Sequence, residues 1–300
     1  MIRRSLSLAA LAAAIVVGGT AIGHQHQGQE HQGQEHQGQK HQGMNHGAGG
    51  HQPWHDALHK AVAAPSRTAA NTARDKYRHP FETLAFFGVK PSDTVVEIWP
   101  SGGWYTEILA PYLAQGGGSY WAASIGPTGN DGMKRLMTAN PELYGKIRLA
   151  AFPTFEPTDT GVPDGSADIV LTFRNVHNWG GGYRREGKAY DVEAFQQMFR
   201  MLKPGGTLGV VDHRLPEGAD AAREKNSGYI KVSTVRRLAE AAGFRFAGAS
   251  EVNANPKDTA DWPDGVWTLP PSLRLKEVDR DRYVAIGESD RMTLKFVKPN

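Results

Sequence analysis

The chain has no cysteine among its 300 residues. That excludes disulfides, thiolate metal sites, cysteine nucleophiles and a lipid anchor on an N-terminal cysteine. Charge of one sign is also scarce, since 34 Lys+Arg against 31 Asp+Glu leaves only +3. No stripe of Lys/Arg interleaved with aromatics occurs, so a nucleic-acid surface is excluded. Long apolar runs are missing beyond residue 23, and no membrane span is expected once that segment is removed.

What is present first is an export signal. Residues 1–23, "MIRRSLSLAALAAAIVVGGTAIG", carry Arg3 and Arg4, then an apolar run from Leu6 to Val17, then small residues with Ala21 and Gly23 at plausible cleavage positions. A span needs about 20 apolar residues, and this run is shorter. The pattern predicts a cleaved signal and a periplasmic or secreted protein.

Residues 24–52 repeat His-Gln-Gly-Gln-Glu and then decay, with seven of the twelve histidines and no large apolar residue but Met44. Such a tract cannot bury a core and reads as a disordered linker. His24, His26, His31, His36 and His41 are also possible ligands for Zn, Cu or Ni, because neutral imidazole suits these ions. Composition alone leaves both readings open.

From Pro53 to residue 300 the composition becomes globular. Helices are expected over 53–64, over 67–78 capped by Ser66, and over 80–88 ended by Gly88. "TVVEI" then reads as a buried strand, followed by a glycine turn and a helix from about Trp104. "SYWAAS", "IRLAAF", "DIVLTF", "TLGVVDH", "RFAGAS" and "RMTLKFV" read as six further strands. Helices at 131–138, "VEAFQQMFRML" and "VSTVRRLAEAAGF" alternate with them. This alternation predicts a doubly wound α/β sheet with an N-terminal helical extension. Residues 250–290 have little periodicity and read as a lid-like insertion, with Trp262, Trp267 and Leu269 to pack it down. Glu288, Ser289, Asp290 and Arg291 suggest a polar network at the start of the last strand.

From about Phe81 to Pro299 the chain resembles class I S-adenosylmethionine-dependent methyltransferases. "FRMLKPGGTLGVVDH" and "LAEAAGF" carry the likeness, and "EIWPSGGWYTEILAP", "RNVHNW" and "GESDRM" are similar to segments of an exported predicted-methyltransferase group. The resemblance implies a seven-stranded Rossmann-like sheet of order 3-2-1-4-5-7-6 and S-adenosylmethionine as cofactor. It also implies methyl transfer to a small-molecule substrate.

On that alignment Glu97 takes the family's acidic place after the first strand. Trp99, Ser101 and Gly103 take its three glycine places, and Gly102 is an extra glycine. Gly102 and Gly103 are expected to supply close backbone approach and φ > 0, and Trp99 and Trp104 aromatic faces for a sulfonium. After the second strand Ser124 stands where the family has a ribose-binding carboxylate, with Asp131 seven residues on.

Ligands on such sheets bind beyond the carboxyl ends of the strands. Arg174 and His177 follow the fourth strand, and Asp212 and His213 end the fifth. A histidine can accept a proton during methyl transfer, Asp212 can orient it, and arginine suits an anionic group. His79 reads as helix-entry packing or a cover for the cofactor. Two alternatives stay open: a non-transferring ligand binder or different enzyme on the same fold, and a metal-handling protein acting through its histidine tract.

Overall fold

The computed structural model describes residues 52–126, 129–156 and 158–300. The export signal and the histidine ligands expected in the tract lie outside the described residues. Among the described residues, no helix is long and apolar enough to cross a membrane.

Four helices precede the sheet: α1 (Pro53–Val62), α2 (Ala69–Thr72), α3 (Asp75–Arg78) and α4 (Pro80–Phe87). The single helix expected over 67–78 is broken into two short pieces, and Thr68 rather than Ser66 precedes the first. The cause is a set of competing bonds. Arg67 pairs with both oxygens of Asp75 at 2.6 and 2.7 Å, while the Thr68 amide donates to Glu107 at 3.0 Å. His79 joins α3 to α4 in left-handed backbone, φ 40°. Gly88 ends α4 as expected.

The alternating segments follow: β1 (Thr94–Ile98), α5 (Thr106–Gly116), β2 (Ser119–Ser124), α6 (Asp131–Ala139), α7 (Pro141–Tyr144), β3 (Arg148–Ala151) and β4 (Ala167–Phe173). Then come α8 (Val176–Gly180), α9 (Asp191–Met201), β5 (Leu202–His213), α10 (Val232–Ala241), β6 (Arg245–Ser250), α11 (Arg280–Ile286) and β7 (Arg291–Val297). The seven strands form one sheet in the order 3-2-1-4-5-7-6. β1 to β5 are parallel, and β7 runs antiparallel between β5 and β6.

Both faces are covered, and the period-two alternation of the strands shows it. On β4, Ile169, Leu171 and Phe173 join the cluster under α1, α4 and α5, whereas Val170 joins the cluster under α9 and α10. On β1, Val95 faces the first layer and Val96 and Ile98 face the second. The "LKPGG" segment lies within β5, where pairing jumps from Ala167↔Leu202 to Ile169↔Thr207.

The insertion at 250–290 packs its Ala260 and Val266 into a small core with Leu215 and Tyr229, with Trp262 and Trp267 against it. The buried carboxylate of Asp258 ties it together. It accepts from Tyr229 Oη at 3.0 Å, Trp262 Nε1 at 2.7 Å and the Asp290 amide at 2.8 Å.

Candidate functional site

The strand order reverses direction of growth at β1, whose neighbours are β2 and β4. Ligands on open α/β sheets bind at such a point. Asn175 spans it: its side-chain amide donates to the Ile98 carbonyl at 2.9 Å, joining the ends of β1 and β4. Two cavities open here. The main one holds about 600 Å³, within the usual range of small-molecule sites. The other holds about 310 Å³. Trp99, Ser101 and Tyr183 line both.

The turn after β1 has an unusual backbone. Trp99 (φ 52°), Ser101 (φ 53°) and Gly103 (φ 85°) are all left-handed. These are the three positions aligned with the family's glycines, so the turn keeps a glycine-type path with two side chains in it. Each non-glycine residue in that region costs roughly 1–2 kcal/mol, and such strain concentrates at ligand sites. Gly102, expected to provide positive φ, does not have it, and nothing lies within 4 Å of where its Cβ would be. Gly103 lines neither cavity. A Cβ there would meet Leu136 Cδ1 at 2.5 Å and Met133 Cε at 3.1 Å, so its side of the turn is closed by α6 rather than by a ligand.

Trp99 is anchored by Nε1 donating to the Phe152 carbonyl at 2.8 Å, with edge contact to Trp179. Trp104 also lines the main cavity, but its ring is already engaged by guanidinium groups. Arg78 lies 4.6 Å and Arg67 5.3 Å from its centroid. The cation that Trp104 faces is thus supplied by the chain itself. Glu97 is buried at the end of β1 and accepts from Tyr120 Oη at 2.6 Å. Burial pushes its carboxyl up to about 7, against the Tyr120 bond and nearby Arg174.

The smaller cavity lies beside the end of β2 and is lined by Gly102, Ser124, Asp131, Gly132, Arg135 and Arg184, among others. Ser124 is buried, and its Oγ has no hydrogen-bond partner among the described residues. Buried hydroxyls are normally bonded, so this orphan group marks a place where a ligand's polar atom fits.

Beyond β4 and β5 the expected cluster is assembled. Within "RNVHNW", Val176–Gly180 coils into the short helix α8. Its start is bonded to Asp212, which is fully buried. Asp212 Oδ2 accepts from the amides of Val176 at 2.8 Å and His177 at 3.3 Å. Asp212 Oδ1 lies 2.8 Å from His177 Nδ1 and accepts from the His213 amide at 2.8 Å. A carboxylate only accepts, so the proton of neutral His177 sits on Nδ1 and its Nε2 lone pair remains free. His177 lines the main cavity. His213 is 5.3 Å away between ring centroids, with Nδ1 2.5 Å from Ser289 Oγ. Burial, then neighbouring His177 and Arg174, hold His213 well below the usual histidine range.

Ligand atoms of His177, Asp212 and His213 lie within 4.8 Å of one another, close enough for a metal ion. Electrostatics argue against that use. Asp212 already accepts four hydrogen bonds, and the guanidinium of Arg174 stands in the same cavity. A site that keeps His213 neutral opposes a second cation equally.

Of the residues expected around one crevice, Arg174, His177, His213, Glu97, Trp99, Ser101 and Trp104 line the main cavity, whereas Gly103 and the fully buried Asp212 do not. Ser124 and Gly102 fall on the adjacent cavity instead. His79 lines neither. Arg78 and Tyr105 were missed, as were Tyr183 from the α8–α9 loop and Pro270, Pro271 and Arg274 from the insertion, whereas Trp267, expected to pack the insertion down, lines the cavity as well. Arg78 stands beside His79 in "RDKYRHP", and only its distant partner Glu288 reveals it.

No protein-family model matches the chain, and no curated sequence relative is found. Solved structures do match in fold. A SAM-dependent methyltransferase from Aquifex aeolicus is 13% identical, covers 79% of this chain and 96% of its own, and has a TM-score of 0.50. The [4+2]-cyclase SpnF is 14% identical, covers 81% and 92%, and has a TM-score of 0.51. With its strand order, the chain therefore has the class I S-adenosylmethionine-dependent methyltransferase fold. At such identities the likeness establishes architecture, and chemistry must be argued from the site.

Proposed function

We propose that this protein is an exported S-adenosylmethionine-dependent methyltransferase acting on a small molecule. The observation that carries the reading is the His177–Asp212 pair. It is fixed by backbone amides, and His177 opens onto the cavity that the left-handed Trp99 and Ser101 also line.

The residues present suit the cofactor. The orphan Ser124 Oγ, with half-exposed Asp131 on the same cavity, fits the hydroxyls of a ribose. Trp99 and Ser101, shared by both cavities, would flank the link between nucleoside and amino-acid ends. When bound, S-adenosylmethionine supplies an electrophilic methyl group. His177 Nε2 accepts the proton of the substrate's hydroxyl or amine as general base. Asp212 holds the tautomer and balances the imidazolium that results. Trp267, Pro270 and Pro271 of the insertion line the same cavity.

Binding of S-adenosylhomocysteine, measured by calorimetry on the full chain, tests the reading. Saturable binding that Ser124→Leu removes is expected. A second reading, a ligand binder or different enzyme on this fold, is favoured by Ser124 standing where a carboxylate is usual. Absence of binding by either cofactor form would select it.

A further inference from the structure

Beneath the main cavity, three guanidinium groups share one carboxylate and a fourth stands near them. Glu288 accepts from Arg74 Nε at 2.6 Å and Arg78 Nε at 3.2 Å, and Arg291 Nη1 lies 3.2 Å from it. The fourth, Arg174, makes no side-chain hydrogen bond or ion pair with the described residues, though it lines the cavity. Arg74 Nη2, Arg78 Nη2 and Arg291 Nε are buried without partners among the described residues. Arg78 and Arg291 are almost wholly buried, at 2% and 3% exposure. Buried charges normally come paired, because an unpaired one costs several kcal/mol.

The excess is felt by the groups themselves. Burial, then Arg174, pulls Arg78 down to about 9. Burial, then Arg291, pulls Arg174 down to about 10. Glu288 is held below its usual range by Arg78 and Arg291 although burial opposes this. Arg174 is also strained, with φ 65°, and its amide is fixed to the Val211 carbonyl at 2.7 Å. A strained, partnerless guanidinium facing a cavity has the features of a ligand-binding group. Lys225 and Arg274 also stand on the lining, but Glu224 stands there too and Arg274 is paired with Asp264 at 3.2 Å, so the unpaired charge is that of the arginine cluster.

We propose that Arg174 and Arg78 form an anion subsite for a carboxylate or phosphate group of the methyl-accepting substrate, beside the His177 imidazole. The word methyl-accepting rests on the function proposed above; the subsite itself does not. The cofactor is a poor candidate for the missing countercharge. It brings one carboxylate against an ammonium and a sulfonium, and so adds positive charge. The substrate must then supply the negative charge, and a planar fork such as Arg174 pairs with such a group bidentately.

Inorganic phosphate is the probe, titrated by calorimetry and thermal melting into the full chain at low ionic strength, with and without S-adenosylhomocysteine. Wild type, Arg174→Gln and Arg174→Lys are compared. Wild type should bind phosphate saturably and melt higher with it. Arg174→Gln should bind it about tenfold more weakly or worse, Arg174→Lys should fall between, and S-adenosylhomocysteine affinity should be kept. Without phosphate, Arg174→Gln should melt above wild type, because a like charge has been removed. A merely structural arginine would give the opposite. Equal phosphate affinity in wild type and Arg174→Gln would overturn the subsite. Competition between phosphate and S-adenosylhomocysteine, with Arg174→Gln weakening both, would assign the arginines to the cofactor and overturn the substrate claim. If phosphate behaves as expected and S-adenosylhomocysteine never binds, the subsite stands and the methyltransferase reading falls.

Discussion

His177 Nδ1 lies 2.8 Å from Asp212 Oδ1, and the other oxygen of Asp212 receives the His177 amide. One carboxylate therefore fixes both the ring and the backbone of the same histidine. His177→Ala should lower turnover by about 10²–10⁴-fold with little change in cofactor affinity. Steady-state kinetics on an identified substrate measure it. A change confined to KM would reassign His177 to substrate positioning.

Asp212→Asn should act on stability as well as rate. An amide side chain brings an N–H into a site with four donors and leaves part of it unsatisfied. A loss of about 2–4 kcal/mol in denaturant unfolding is expected. An unchanged midpoint would mean that this carboxylate does not hold the start of α8.

Ser101→Gly should stabilise the protein by about 0.5–1 kcal/mol. Ser101 is exposed, its backbone is left-handed, and its hydroxyl makes only a 3.4 Å contact with the Trp99 carbonyl. Glycine relieves the strain and loses almost nothing. A lower melting temperature in the variant would contradict the backbone assignment.

Gly103→Val should be costly to the fold itself. Its φ of 85° and the contact with Leu136 both oppose a branched side chain. A loss of about 2–4 kcal/mol is expected by denaturant titration. A fully stable variant would show that the turn and α6 are not packed as described.

Glu97 should make stability depend on pH. Its carboxyl rises from an ordinary 4.5 to about 7, so the folded protein holds a proton that the unfolded chain has released. That contribution is present below about 4.5 and is lost as pH rises through about 7. It amounts to on the order of 3 kcal/mol at most. Glu97→Gln, neutral throughout, should flatten this slope between pH 5 and 8 in chemical denaturation. Parallel pH profiles for the two proteins would refute the assignment.

The frame of the site could be read from the sequence because strand ends are local signals. The alternation of Val95 and Val96, or of Ile169 to Phe173, locates each strand, and Arg174, His177 and His213 follow from position alone. The arginine cluster could not be read this way. Arg78 and Glu288 are 210 residues apart, and only the completed sheet brings them together. The turn was legible in part. Trp99 and Ser101 argue against left-handed backbone as residue types, yet packing of the indole and the surrounding strands imposes it. Short helices such as α8 and α11 have too few turns to show a period, so "RNVHNW" and the end of the insertion read as loop.

The place of β7 has a consequence for assembly. Arg291–Val297 is the last strand along the chain, but it lies inside the sheet, and β6 pairs with no other strand. While the chain is being synthesised, β5 keeps an open edge and β6 has no neighbour until those residues emerge. Non-local pairings of this kind form slowly. A sheet so arranged remains incomplete until β7 is added.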